Sequence, residues 1–276
     1  MADFMHFPMA RERVLSCGVT TVSIIPEICL VSHFQVGSWP VFYRPMETGN
    51  VKRWGLPLMI PNFSRLKDGI FKDKHTTLPI HGFGRNLPWT VVNEGDDVTR
   101  LSMQLSSSDA TRPDYPYEFR FTATISVAEE TLTYSLVMEN RGDEAMPIAP
   151  GFHPYFTVAQ QDKAEMVVDS LPGFVVSDFD WEKSPPDNPY PFRQSVTISV
   201  PHYGRLTIAE QPVEGQYVLK NMQVWTEPPT KPDHAFVCFE PSVGSEDALN
   251  RPADRLMIAP RSAREIVMQL VAKPLS

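Results

Sequence analysis

Glu240 closes the apolar run Phe236-Val237-Cys238-Phe239 and is followed at once by Pro241. A short run with no polar interruption reads as a strand buried on both faces, which puts the carboxylate at the lip of a core. Partial desolvation there raises a carboxyl pKa toward the range of a general base. The commoner fate of a glutamate is to end a strand in water, and the residues alone leave both open. His153 stands in Pro150-Gly151-Phe152-His153-Pro154-Tyr155-Phe156. Its aromatic neighbours suit stacking on a sugar face, and a histidine there exchanges a proton near neutral pH; a core histidine bonded to backbone is the equal alternative. His81 lies between Ile80 and Gly82. A glycine after it permits a close approach of backbone to a ligand, and is also ordinary turn chemistry. Residues 56–89 bring Arg65, Arg85, Asn86 and Trp89 into the same stretch, punctuated by Gly69, Gly82 and Gly84. The arginines suit hydroxyl or phosphate oxygens, although lone arginines are mostly solvated.

Strands must position these groups. Tyr117 to Ile125 alternates apolar and polar side chains, the pattern of a half-buried antiparallel strand. Similar or β-branched runs predict strands over 19–25, 28–36, 41–43, 90–93, 100–105, 118–127, 132–140, 165–168, 195–200, 206–209, 222–226, 236–240 and 265–271. Long loops are expected at 61–78, 106–116, 182–193 and 227–234. The 27 prolines leave helices little room. Many short strands with Pro-rich connections predict a sandwich of two large, mostly antiparallel sheets. With no repeat and no linker, residues 1–276 are expected to form a single domain.

Composition narrows the function classes. The net charge of -8 opposes sequence-independent nucleic-acid binding, which needs a basic surface. Cys17, Cys29 and Cys238 are odd in number and widely spaced, so neither a disulfide framework nor a zinc knuckle is expected. The first fourteen residues lack the apolar core of a secretion signal, and no apolar stretch reaches the length of a membrane span. A cytoplasmic protein with no membrane partner is expected.

Three segments, in order and spacing, resemble aldose 1-epimerases. They are Pro61 through Gly69 with Leu78 through Trp89, then Gly151 through Phe156, then the run from Glu240-Pro241 through Gly244 to Asp247-Ala248-Leu249-Asn250. The resemblance covers nearly the whole chain. It implies a galactose-mutarotase-like β-sandwich, a supersandwich with a sugar cleft on a concave sheet, working without metal or organic cofactor as a monomer or homodimer. It implies Glu240 as the base on the anomeric hydroxyl, His153 as the acid on the ring oxygen, and His81 as a group that holds or polarises a ring-side oxygen. Arg65 orients hydroxyls; Arg85, Asn86 and Trp225 complete the expected substrate-binding set, Trp225 as a stacking platform or else as a core tryptophan. Ser64 stands where the family commonly has asparagine. The substrate-binding aspartate of galactose-active members has no clear match, Asp178 and Asp180 being nearest in sequence.

The expected activity is interconversion of the α and β anomers of a free hexose. Three other classes stand beside it: a hexose-6-phosphate mutarotase, a non-catalytic carbohydrate-binding protein, and a metalloenzyme using His81, His153 and Glu240 with an open position. The last lacks a short-spaced histidine pair. Glycoside hydrolysis needs two apposed carboxylates, and only Glu240 has the setting.

Overall fold

The computed structural model describes residues 12–45, 53–92 and 97–275. Most of the N-terminal stretch read for a secretion signal, and Asn93 at the end of one expected strand, lie outside them.

Alternation builds the longest strands. Along Phe119–Ala128 the residues Phe119, Phe121, Ala123, Ile125 and Val127 are buried, while the polar ones between them stay half-exposed. Thr131–Asn140 repeats the pattern and pairs with it antiparallel, from Phe119 against Asn140 to Ala128 against Thr131. A one-residue slip would turn every apolar side chain to water, so the register is firmly specified. These two strands centre an eight-stranded sheet in the order Val167–Asp169, Ser195–Val200, Gly204–Gln211, Ala263–Pro274, Thr131–Asn140, Phe119–Ala128, Arg100–Ser106, Thr90–Val91.

A second sheet has six strands. Its path is Asp187–Pro191, Asn221–Trp225, Phe236–Ser242, Gly151–Phe152 and Leu58–Met59, with Tyr155–Thr157 also pairing to Phe236–Ser242. A four-stranded N-terminal sheet covers Arg13–Cys17 to Trp39–Pro40. Val224, Val237 and Phe239 of the second sheet share one apolar core with Phe121, Leu136 and Met268 of the first. Among the described residues the only helical turns are short 3-10 segments, so the all-β expectation holds.

The differences from expectation have local causes. Residues 182–193 contain the strand Asp187–Pro191, whose prolines are tolerated because it is a sheet edge. Residues 61–78 hold the two-residue pair Ile70–Phe71 and Thr76–Thr77, too short to show a period. Gln160–Glu165 is a 3-10 turn ahead of Val167–Asp169, and of 41–43 only Phe42 bridges to Phe156. The strand at 236 does not stop at Glu240 but continues to Ser242, with all seven residues buried. Toward residues 151–157 its ladder is broken: Ser242 pairs with Gly151 and Cys238 with Tyr155, leaving His153 and Pro154 opposite the gap. His153 N–H donates instead to the Pro57 carbonyl at 3.2 Å.

Candidate active site

Strand parity sorts the run at 236 into two faces. Val237 and Phe239 enter the main core, whereas Phe236 and Cys238 join Tyr155 in a separate small cluster edged by Tyr43 and Trp225. Glu240 shares that second face. It is 2% exposed and meets His153, which is 6% exposed, at 3.4 Å between Oε2 and Nε2. The imidazole is stacked on Tyr155 at 4.7 Å between centroids and meets the rings of Trp225 at 5.8 Å and His81 at 5.3 Å edge-on. Its Nδ1 is buried with no hydrogen-bond partner. Only the Nε2 side is engaged.

Burial sets the electrostatics. It pushes the Glu240 carboxyl well above its ordinary range, Asp187 adds to this, and Arg85 opposes it. It pushes His153 well below the imidazole range, with His81 and Arg85 acting in the same sense. Both directions favour neutral groups, so the contact pair holds a single proton at intermediate pH. His81 is pushed down to about 3, first by burial and then by Arg85 and Arg65.

The segment before Trp89 holds His81 through its backbone. Ser64 N–H donates to His81 Nδ1 at 3.2 Å. An accepting Nδ1 places the proton of the neutral ring on Nε2. The glycines here serve packing rather than ligand approach. A Cβ on Gly82 would lie 2.1 Å from the Ile60 carbonyl oxygen, and one on Gly84 would lie 2.3 Å from Ile60 Cγ2. The run 240–250 works from the other side. Asp247 Oδ1 accepts from Lys67 N–H at 2.9 Å, and Asp247 N–H donates to the Arg65 carbonyl at 2.8 Å. Asn250 adds bonds to Lys72 N–H at 2.9 Å and to the Ile70 carbonyl at 2.8 Å. Arg65 is thus carried on a loop stapled by Asp247 and Asn250.

Not every expected residue joins the cluster. Arg85 is half-buried, feels Glu240 and Tyr155, and leaves its Nε buried without a partner. Arg65 is exposed at the rim, near enough to depress His81. Trp225 is half-buried against His153 and Tyr155. Asn86 is exposed in a 3-10 turn, and no hydrogen bond ties its side chain to the cluster. Phe152 packs on Tyr134 and Phe156 on Phe42 inside the main core, and Tyr155 already carries His153, so the expected triple aromatic pocket is not formed.

Two residues went unforeseen. Arg53 lies 5.8 Å over the Trp225 ring and is paired with Glu227. Asp187 sits in register with Trp225, accepts from Gln223 Nε2 at 2.7 Å, and is the carboxylate felt by Glu240. Asp178 and Asp180 are exposed, and Asp180 caps its own turn through the N–H groups of Glu182 and Lys183. Asp187 could have been suspected only from its place in a long loop near Trp225; nothing in the spacing marks Arg53.

Solved structures with this architecture are galactose mutarotase-like β-sandwiches. A galactose mutarotase-like protein of Clostridium acetobutylicum superposes with a TM-score of 0.78 at 17% identity over 95% of each chain. The galactose 1-epimerase of Lactobacillus acidophilus gives 0.72 at 13% identity, over 95% of this chain and 94% of its own. Residues 66–243 match the aldose 1-epimerase family model, and the chain belongs to that family. A Salmonella typhimurium protein named "Putative glucose-6-phosphate 1-epimerase" is 35% identical over 135 residues, 48% of this chain and 41% of that protein. The match thus spans less than half the length of that curated relative.

Proposed function

We propose that this protein interconverts the α and β anomers of a free hexose by general acid/base opening and closure of the ring, with residues 1–276 acting as one domain. The observation that carries the reading is the 3.4 Å contact between His153 Nε2 and Glu240 Oε2, buried beside His81. Ring opening runs from the form of the pair whose single proton is on His153: Glu240, as carboxylate, takes the proton of the anomeric hydroxyl while His153 gives its own to the ring oxygen. The C1–O5 bond breaks, the free aldehyde forms, rotation about C1–C2 exposes its other face, and the reverse steps give the other anomer. The pair begins and ends with one proton, so no external acid or base is consumed. His81, neutral and protonated on Nε2, donates a hydrogen bond to a sugar oxygen. Arg65, Arg85 and Asp187 orient hydroxyls, and Trp225 offers its face to the ring.

The test is polarimetry of freshly dissolved α-D-glucose and α-D-galactose with and without the protein. Acceleration of neither sugar would remove the reading. A second reading, a hexose-6-phosphate substrate, is favoured by one observation: Arg53 adds a third guanidinium to Arg65 and Arg85 near the two histidines. Against it, Arg53 is already paired with Glu227, and Lys74 turns away to Glu144 and Tyr117. Specificity constants for glucose and glucose-6-phosphate at low and high salt separate the two. A phosphate ester that wins at low salt and loses its advantage at high salt supports the second.

A further inference from the structure

The metal-ligand set considered from sequence, His81 with His153 and Glu240, is not the one the fold assembles. Among the described residues, one ligand atom each of His153, Cys238 and Glu240 lie within 4.8 Å of one another, and all three residues are buried. Cys238 and Glu240 are two apart on one strand and so share a face, and Cys238 is the register partner of Tyr155, two residues beyond His153. In zinc sites the donors stand about 2.0–2.3 Å from the ion, so neighbouring donors lie roughly 3.3–3.8 Å apart. Side-chain rotations of the order of an ångström would close this cluster onto an ion.

We propose that His153, Cys238 and Glu240 form an inhibitory site for a borderline-soft divalent cation of the zinc class, with a fourth position open to water. An imidazole, a thiolate and a carboxylate are the donor types that such an ion accepts. The imidazole already presents Nε2 to the cluster, 3.4 Å from Glu240 Oε2. On binding, the Cys238 S–H bond gives way to a sulfur–metal bond and the proton passes to solvent, so binding weakens in acid. Burial, and after it Glu240, push the Cys238 thiol well above its ordinary range, with Lys163 and Arg53 opposing, so the ion itself must displace the proton. The ion would occupy the nitrogen and the carboxylate that ring opening needs. Competition with sugar therefore rests on the proposed function; cation binding itself does not.

Cadmium, which gives an ultraviolet charge-transfer band with thiolate, reads the site directly. Titration of the whole protein with cadmium should raise this band to saturation at one equivalent. The band should persist in Cys17→Ser and vanish in Cys238→Ala. Zinc should raise KM for the sugar at least tenfold with kcat unchanged, and a chelator should reverse it. In Cys238→Ala the zinc inhibition constant, referred to that variant's own metal-free rate, should weaken at least tenfold. A band retained in Cys238→Ala, or zinc inhibition of equal strength in that variant, overturns the proposal. If Cys238→Ala does not fold, a cadmium-soaked crystal of the parent decides: an anomalous peak bonded to all three side chains supports the site, and its absence there overturns it. A protein that turns over no sugar but shows the band and the peak would sink the proposed function and leave the metal site standing.

Discussion

Ser64 and His81 bind each other twice: Ser64 N–H donates to His81 Nδ1 at 3.2 Å, and His81 N–H donates to the Ser64 carbonyl at 2.9 Å. Both residues take left-handed backbone, with φ of 58° and 66°. Asparagine is among the residues best suited to that region, which explains its frequency at the position of Ser64 without invoking a side-chain contact. Ser64→Asn should be neutral or slightly stabilising, whereas Ser64→Val should cost about 1–2 kcal/mol. Urea midpoints measure the cost. Equal midpoints for all three proteins would contradict the account.

His81 also ties stability to pH. Its folded pKa, about 3, lies below the unfolded value of roughly 6.5. Between these the unfolded chain binds a proton that the folded chain refuses, so stability falls as pH drops from 6.5 toward 3, by at most about 1.4 kcal/mol per unit. His153 acts in the same direction, whereas the raised carboxyl of Glu240 removes stability as pH rises above its unfolded value. His81→Gln should flatten the acid arm. Urea midpoints at pH 7, 5 and 4 test this, and parallel slopes in parent and variant would refute it.

Glu240→Gln should lower kcat by about 10²–10⁴-fold and keep the fold, because glutamine matches the shape and needs no ionisation. Far-ultraviolet circular dichroism and polarimetry suffice. Parental turnover with an unchanged pH profile would take the base away from Glu240.

The rate should follow a bell in pH, since only the pair bearing one proton works. Its limbs are macroscopic values of the pair. With His153 depressed, the acid limb should fall below the ordinary imidazole range; His153→Asn should be severely impaired. A profile flat from pH 5 to 9, together with an active His153→Asn, would end the two-residue scheme.

Asp247→Ala should act on substrate binding more than on chemistry. It frees Lys67 N–H and loosens the loop that bears Arg65, which is at the rim rather than beside the reacting atoms. KM should rise severalfold with kcat within about twofold. A fall in kcat at constant KM would show that the loop acts on Glu240 or His153 instead.

The long strands were legible because their alternation runs through enough residues to be read, as in Phe119–Ala128. The apolar run before Glu240 made its burial one of two open alternatives, and Pro241 hid the true strand end. Leu58–Met59 and Gly151–Phe152 were not, since two residues carry no period. Side-chain direction was the larger loss. Phe152, Tyr155 and Phe156 look alike in sequence, yet two enter the main core and one carries the histidine. Arg53 and Asp187 reach the site only through tertiary neighbours, Trp225 and Gln223, which no spacing encodes.

His81, His153 and Glu240 come from three remote stretches, each separated from the next by more than a quarter of the chain. No short contiguous fragment contains the pair and its neighbour. Loop closure over such spans is slow, and its entropy must be met before the non-local contacts reward it. These three side chains therefore meet only once the second sheet has zipped around Phe236–Ser242. The meeting of His81, His153 and Glu240 is thus a late event of folding rather than a property of any part.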